Sequence, residues 1–222
     1  MSRHEIALRR VLYEVPGMQA VPVRDAEFPG ADGELLPMRI YGTLDRSRPA
    51  VVIVDGLPDA RFEEHVGCRF MDMEWTISMA QLIAASGMTA ITHSNRVPEP
   101  DARALIAHFE TISSKFGIWA TSSHAPIALL AAARARCAVL NNPVTRDFCP
   151  DTPLFVVRSG NDETPGLNVA LDAFMARALA DDRPLTLVNY PGARHSYELH
   201  LDTPETRRIL QQGLEFLRAH LV

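Results

Sequence analysis

Short apolar runs rich in β-branched residues alternate along the chain with longer segments whose apolar residues recur at helical spacing. This alternation predicts parallel strands joined by crossover helices. Strands are expected at 50–55, 88–93, 117–121, 137–141, 153–158 and 184–190. Each run is apolar throughout, as a strand covered on both faces should be. The chain is therefore predicted to be an α/β protein with a mostly parallel central sheet and helices on both faces.

Helical spacing is found between these runs and after the last of them. The predicted helices are 75–86, 100–114, 123–135, 167–180 and 204–220. The first 45 residues differ, because VLYEV, AVPVRDAEF and LPMRIY are separated by PG and ADG turn signals. They are expected to form antiparallel edge strands without a helix between them. The proline-containing stretch 142–152, which includes Asp147 and Cys149, is expected to form a small cap or pocket loop.

Length and composition add limits to this picture. A chain of 222 residues with 47% hydrophobic and 22% charged residues is expected to form one globular domain, 1–222. Its 22 Lys and Arg against 27 Asp and Glu give a net charge of −5, and no basic face for nucleic acid is visible. The three cysteines follow no CxxC spacing, so neither a disulfide framework, a metal nor a cofactor is expected.

The N-terminus and the hydropathy pattern bear on location. The opening MSRHEIALRRVLYEV has no apolar run of signal-peptide length, and nowhere do about 18 apolar residues follow one another. A cytoplasmic protein without a membrane partner is therefore expected. The oligomeric state is left open, a homodimer included.

The segment FGIWATSSHAPIALLAAARA runs from a buried strand directly into an alanine-rich helix, with hydroxyl residues at the junction. A nucleophile elbow, usually G-x-S-x-G, needs such a strained turn with a helix N-terminus behind it. Here the pentapeptide is Ala120-Thr121-Ser122-Ser123-His124, with alanine and histidine in place of the glycines. Ser122 is the candidate nucleophile. The alternative is that Ser122 and Ser123 only cap a buried helix.

Two later loops hold partners for a serine nucleophile. Strand PLFVVR ends in a polar loop with Asp162, and strand PLTLVNY runs into a loop with His195. Asp162 could instead cap the next helix, Glu163 is an alternative carboxylate, and a lone loop histidine is often merely solvated. The chain order Ser, Asp, His is nevertheless that of one known triad arrangement, with His195 as base and Asp162 as its orienting residue.

Acyl transfer also needs two backbone N–H groups that face the developing oxyanion. One is expected from Ser123, the residue after the nucleophile. The other is expected in the turn after strand 50–55, where Gly56 lets the backbone approach the substrate. Leu57 is the predicted donor, since Pro58 has no N–H.

Residues 11–222 resemble the α/β-hydrolase family, in the group of dienelactone hydrolases and small esterases. The most specific stretches are VVIVDGLPDARFEEHVGCRF, QLIAASGMTAITHSNR, GIWATSSHAPIAL, PLFVVRSGNDETPGLN and LVNYPGARHSYEL. The resemblance implies an α/β-hydrolase fold with Ser122, Asp162 and His195 as triad. Dienelactone hydrolases proper have cysteine at the elbow, so their particular substrate is not implied for a chain with Ser122.

Further residues near the expected site have two interpretations each. Gly56, His124 and Trp75 are candidates for the substrate pocket, although His124 could only fill the space of the missing glycine and Trp75 could only pack the core. His93 could line the pocket rim or belong to a turn.

Other side chains near the site are weighed in the same way. Cys68 with His65 and Asp72 matches no metal-ligand spacing, so Cys68 is expected to pack like a small apolar residue. Arg158 and Arg194 flank the expected site and could bind a substrate carboxylate.

The sequence thus predicts a serine hydrolase that cleaves a small carboxylic ester through an acyl-enzyme, with a small-molecule acyl substrate as partner. The same triad could instead hydrolyse a thioester, lactone or peptide, or transfer an acyl group. The altered elbow also leaves open a member that only binds a ligand or a protein.

Overall fold

The computed structural model of the protein describes residues 3–43, 45, 48–113, 115–145 and 149–222. Within these residues one sheet has eight strands: β1 Val23–Pro29, β2 Leu35–Tyr41, β3 Ala50–Ile53, β4 Thr89–His93, β5 Phe116–Thr121, β6 Ala138–Asn141, β7 Leu154–Ser159 and β8 Leu185–Tyr190. Their spatial order is β1-β2-β4-β3-β5-β6-β7-β8. The β1–β2 and β2–β4 pairs are antiparallel, and the other five pairs are parallel.

Helices cover both faces of this sheet. The α-helices are α1 Arg3–Ala7, α2 Asp59–Val66, α3 Glu74–Ala85, α4 Pro98–Ile112, α5 Ala125–Ala132, α6 Leu167–Ala180 and α7 Pro204–Leu221, and 3-10 helices occur at Met18–Ala20, Phe70–Asp72, Ser122–His124 and Tyr197–Leu199. Buried residues of α4, α5 and α6 form one core, and those of α3 and α7 form the other. Successive strand residues such as Val51 and Val52 alternate between the two cores, as side chains of a strand must.

Helix α7 shows how local sequence produces the second core. Thr203 caps it, because its side-chain oxygen accepts the Thr206 N–H at 3.1 Å, and Pro204 follows at the first helical position. Ile209, together with leucines on the same face, is buried against the sheet while the opposite face is charged. The amphipathic pattern therefore fixes which side of α7 packs on β5 and β6.

The predicted central strands coincide with β3 to β8 to within two residues at each end. Helix 167–180 has its predicted bounds, whereas 123–135 is shorter, because a 3-10 turn precedes α5 and the helix ends at Ala132. Strand β8 is half exposed rather than covered on both faces, since it lies at the edge of the sheet. In the described part of the stretch between β6 and β7 there is no helix, and Asp147 lies outside the described residues.

Two predictions about the first half of the chain are wrong. VLYEV does not form a strand: Val11 is buried, and its N–H donates to Ser78 Oγ of α3 at 2.9 Å instead of pairing with a strand. A 3-10 helix, Met18–Ala20, also separates this segment from β1.

Helix α2 was not predicted, because Phe62 is its one buried residue and its remaining pattern is polar. No helix in the described part of the chain combines the length and apolarity needed to cross a membrane.

The loops that follow β7 and β8 pack directly on each other. The Gly160 N–H donates to the Tyr190 carbonyl at 2.9 Å, and the Asn161 N–H donates to the Ala193 carbonyl at 2.8 Å. A Cβ atom at Gly160 would lie 2.4 Å from the Pro191 carbonyl oxygen. Only glycine therefore permits this approach, which joins the loop of Asp162 to the loop of His195.

We expect Gly160→Ala to destabilise the protein, because the new methyl group meets backbone that cannot give way. The expected loss is about 1–3 kcal/mol in free energy of unfolding, or roughly 2–4 °C in Tm for each kcal/mol. Gly192→Ala is the matched control, since nothing lies within 4 Å of a Cβ placed there. Thermal unfolding measures both variants, and equal Tm values would contradict the close packing of the two loops.

Candidate active site

The turn between β5 and α5 holds Ser122 at the carboxyl end of the sheet. The φ angle of Ser122 is 49°, in the left-handed region that non-glycine residues rarely adopt. Thr121 before it is extended, and the 3-10 helix Ser122–His124 follows at once. The Ser122 carbonyl accepts the Val144 N–H at 3.0 Å, which secures the turn from the next loop. This abrupt reversal from strand to helix presents the Ser122 hydroxyl to the loops of β7 and β8.

His195 bridges Ser122 and Asp162. Its Nε2 lies 2.8 Å from Ser122 Oγ, and its Nδ1 lies 2.6 Å from Asp162 Oδ2. The Asp162 side chain is completely buried, and its Oδ1 accepts the Thr164 N–H at 2.9 Å. A carboxylate beside Nδ1 keeps the proton on that nitrogen, which leaves Nε2 to accept the serine proton. The structure thus brings together the three side chains that the sequence indicated for a triad.

The competing carboxylate lies elsewhere. Glu163 Oε1 is 3.6 Å from Arg194 Nε, and both side chains are exposed. Among the two acids of this loop, Asp162 is the one that contacts His195.

Three solved structures with a similar architecture are esterases by name. An esterase from Pyrococcus furiosus matches with a TM-score of 0.71 at 13% identity, over 97% of each chain. An esterase from Pyrobaculum calidifontis has a TM-score of 0.67 at 13% identity, over 91% of this chain and 88% of that one. The esterase LipW from Mycobacterium marinum has a TM-score of 0.69 at 12% identity, over 97% and 94% of the two chains. The chain has the α/β-hydrolase fold.

The predicted fold class is thereby confirmed. No protein-family profile and no curated protein matches the sequence, so the likeness is one of three-dimensional structure at low identity. It establishes the α/β-hydrolase fold and leaves the chemistry to be argued from this chain's own residues.

The two predicted oxyanion donors differ in their surroundings. Ser123 is the second residue of its 3-10 helix, so its N–H has no intrahelical acceptor, and Ser123 lines the same cavity as Ser122. The Leu57 N–H instead donates to Asp55 Oδ1 at 3.1 Å, and Leu57 does not line the cavity. The prediction for Leu57 is wrong. The side chain of Asp55, two residues earlier, accepts the Leu57 N–H in an Asx turn.

His124 occupies the place of the second elbow glycine and is buried. Its ring stacks on Phe70, with centroids 4.0 Å apart, and its Nδ1 accepts the Gly56 N–H at 2.9 Å. Nδ1 also lies 3.2 Å from Asp55 Oδ1, but the directed N–H from Gly56 makes it an acceptor, which leaves the ring proton on Nε2. His124 thus fills the space of the missing glycine and also lines the cavity.

Gly56 lies behind His124 rather than in the cavity wall, where it was expected. A Cβ at Gly56 would lie 2.6 Å from His124 Cα. Glycine is therefore required here by the approach of the elbow backbone, not by the approach of a substrate.

A buried polar cluster lies next to the loop that follows β3. His93 Nε2 accepts the Asp55 N–H at 3.1 Å, and its Nδ1 lies 3.2 Å from the Ser94 carbonyl oxygen. Burial lowers the pKa of His93, so the ring is held neutral. His93 therefore supports the loop from inside and does not line a pocket rim. Asp59, the first residue of α2, accepts a hydrogen bond from Ser94 Oγ, and burial raises the pKa of Asp59 to about 6.

A cavity of about 180 Å³ opens beside Ser122 and His195. It is smaller than the pockets of roughly 300–1,000 Å³ that hold drug-sized ligands. Its apolar wall consists of Ile6, Phe62, Val66, Phe70, Met73, Trp75 and Leu199. Trp75, an expected pocket residue, is thus both packed in the core and part of this wall.

The sequence analysis missed most of this wall. Phe62 and Val66 belong to α2, which was not predicted, and Ile6 comes from α1, in a segment where no helix was expected. Glu198 was also missed, although it follows His195 by three residues, lines the cavity and is completely buried. The available signal was one acid between the apolar residues Tyr197 and Leu199.

The remaining candidates lie outside the cavity. Burial raises the pKa of the Cys68 thiol, which makes it a poor nucleophile. Across the described residues no group of three or more His, Cys, Asp or Glu could hold a metal ion. Arg158 pairs with Asp172 at 2.7 Å, and Arg194 faces Glu163, so neither arginine points its charge into the cavity as a free cation.

The raised pKa of Asp59 predicts a specific pH dependence of stability. Because this pKa rises from 3.8 to about 6 on folding, the stability that protonated Asp59 contributes is complete below about pH 4 and is lost as pH rises through 6. Asp59→Asn does not ionise, so its free energy of unfolding should fall less than that of the wild type between pH 4.5 and 7.5. Urea unfolding at several pH values measures this, and parallel curves for the two proteins would contradict it.

Proposed function

We propose that the protein is a serine hydrolase that cleaves a small carboxylic ester through an acyl-enzyme. The observation that carries the proposal is the continuous chain of contacts from Asp162 through His195 to Ser122, at 2.6 and 2.8 Å. The strained φ of Ser122 and the small cavity beside it add support. The names of the three structural neighbours described above, which are esterases, favour the same class of reaction.

In the proposed mechanism His195 Nε2 takes the proton of Ser122 Oγ as that oxygen attacks the ester carbonyl. The buried Asp162 carboxylate stabilises the imidazolium that forms and holds the ring in place. His195 then protonates the leaving alcohol, and an acyl-enzyme remains on Ser122. Water, activated by the same histidine, hydrolyses the acyl-enzyme and restores the free serine.

The oxyanion needs preorganised donors, and Ser123 N–H is the proposed first one. The amides of Gly56 and Leu57 are engaged by His124 and Asp55. Both amides would have to leave these acceptors before either could face an oxyanion.

The acyl bond is proposed to belong to a small ester because the cavity holds only a small group. Thioester, lactone or peptide hydrolysis and acyl transfer remain chemically open to the same triad. The relation to dienelactone hydrolases rests on the sequence resemblance, with serine in place of cysteine. A member that only binds ligands is less well supported, because such a role needs neither the strained serine nor its histidine.

Ser122→Ala should abolish hydrolysis of short p-nitrophenyl esters, with a loss of about 10⁴-fold or more in kcat. A fluorophosphonate probe should label the wild type on Ser122 and leave the variant unlabelled. Ser86→Ala, at the end of α3 and remote from the cavity, is the matched control and should be labelled normally. Retained activity in Ser122→Ala, or labelling of another residue, would refute the proposed nucleophile.

Asp162→Asn should lower kcat by about 10⁴-fold, because an amide no longer holds the required histidine tautomer. The neighbouring acid provides the control: Glu163→Gln should keep wild-type kcat, since Glu163 faces Arg194 at the surface. Steady-state kinetics with the same esters compare the two. If Glu163→Gln were the impaired variant, the assignment of the orienting carboxylate would be wrong.

A further inference from the structure

Another strained residue lies at the carboxyl end of the sheet, outside the proposed mechanism. Asn142 directly follows β6, is completely buried and has a φ angle of 45°, in the left-handed region. Strain of this kind persists only where surrounding contacts impose it. Strand β6 lies between β5, which leads into Ser122, and β7, which precedes the loop of Asp162. Asn142 is therefore placed between two members of the candidate triad.

The backbone after β6 changes the neighbour to which it donates. The Asn142 N–H donates to the Val157 carbonyl of β7 at 2.9 Å, and the Val144 N–H donates to the Ser122 carbonyl at 3.0 Å. In a regular strand, N–H groups two residues apart face the same neighbour. The left-handed φ of Asn142 thus ends the extended strand, and the second N–H reaches the elbow instead of β7.

The Asn142 side chain bonds to β7. The hydroxyl of Ser159, the buried last residue of that strand, donates to Asn142 Oδ1. Asn142 Nδ2 has no hydrogen-bond partner among the described residues, so the contact with Ser159 is the one that the side chain makes within them. The Ser159 carbonyl in turn accepts the Asp162 N–H at 3.3 Å. Residues 142–144 and Ser159 therefore connect the Ser122 backbone to the Asp162 backbone.

The triad needs such a connection because its members follow different strands. The loops of Asp162 and His195 are joined directly through Gly160, whereas β6 separates the strand of Ser122 from β7. The distance of 2.8 Å from Ser122 Oγ to His195 Nε2 depends on how the elbow sits against those two loops. A displacement of about 1 Å between reacting groups can lower a rate about 10²-fold. A link across β6 can therefore control the rate without touching the substrate.

We propose that Asn142 is a positioning residue, which holds Ser122 at the distance from His195 that proton transfer needs. It acts through the backbone of the elbow and through Ser159, and it does not line the cavity. The inference rests on the proposed ester hydrolysis, since it concerns the same triad.

Two variants remove the link from opposite sides. Ser159→Ala removes the hydroxyl, and Asn142→Gly removes the amide while glycine still allows the left-handed φ. Each should lower kcat and kcat/KM for a short p-nitrophenyl ester to a similar extent, by about ten- to hundredfold. The double variant should lose no more than the poorer single variant, because all three proteins lack the same bond.

Fluorophosphonate labelling distinguishes a positioning role from a merely structural one. The final extent of labelling counts the folded active sites, and the rate of labelling reports the reactivity of Ser122. Both variants should be labelled to the wild-type extent, but at a rate about tenfold lower or less. A merely structural bond would instead lower Tm or the extent of labelling and leave kcat per labelled site unchanged.

Thr152→Val is the matched control. It removes another buried hydrogen bond, from Thr152 Oγ1 to the Ala132 carbonyl at 2.6 Å, just before the opposite end of β7. This variant should lose stability as Ser159→Ala does, but keep the wild-type kcat per labelled site.

Wild-type kcat per labelled site in either Ser159→Ala or Asn142→Gly would overturn the positioning role. An equal loss of kcat in Thr152→Val would do so as well, since any weakened end of β7 would then have the same effect. Should Asn142→Gly fail to fold, Ser159→Ala still decides. A wild type that is neither labelled nor active would refute the proposed function itself, and the positioning role with it.

Discussion

The site depends on one geometric constraint, the convergence of the carboxyl ends of parallel strands at a single edge of the sheet. Strands β5, β7 and β8 run in the same direction, so the loops that follow them lie at one edge of the sheet, where Ser122 and His195 come into contact although they are 73 residues apart. The contact of Gly160 with Pro191 then brings two of these loops to backbone distance. Strand direction therefore selects the edge of the sheet, and the loops after β7 and β8 carry Asp162 and His195 across the intervening strands towards Ser122.

Much of the sheet and of the candidate site could be predicted from the sequence, for a definite physical reason. Strands covered on both faces are continuous apolar runs, and the first polar residues after such runs mark the edge where ligands bind. Ser122, Asp162 and His195 each follow one of these runs, so local signals were enough to find them. The sequence named Asp162 ahead of Glu163 without showing which of the two adjacent acids faces His195, and the structure supplies that contact.

The failures have equally specific causes. VLYEV has the apolar spacing of a strand, but the Val11 N–H donates to Ser78 on α3. This is a tertiary contact, which local spacing does not predict. Leu57 was chosen by eliminating Pro58, whereas the side chain of Asp55 decided where that amide donates. Glu198 went unnoticed, since nothing in the sequence states that an acid in a loop is completely buried.

In the altered elbow the need for glycine lies at Gly56, in the loop after β3, and not at the elbow itself. His124 has a side chain where the usual elbow has glycine. The room for the close approach of the two backbones therefore comes from the facing residue, Gly56. The imidazole then takes the Gly56 amide as its donor, which couples the β3 loop to the elbow through a hydrogen bond. With this altered pentapeptide the Gly56 amide is engaged by His124, and Ser122 still lies 2.8 Å from His195 Nε2.

Two buried carboxyls flank His195, and their hydrogen-bond partners separate their roles. Asp162 has a partner on each oxygen, Thr164 N–H on one and His195 on the other, so its charge is stabilised and its geometry is fixed. Burial raises the pKa of Glu198, and a hydrogen bond from the Trp75 side chain opposes that rise. The contact with His195 Nδ1 thus makes Asp162 the acid of the candidate triad, whereas Glu198 belongs to the cavity wall.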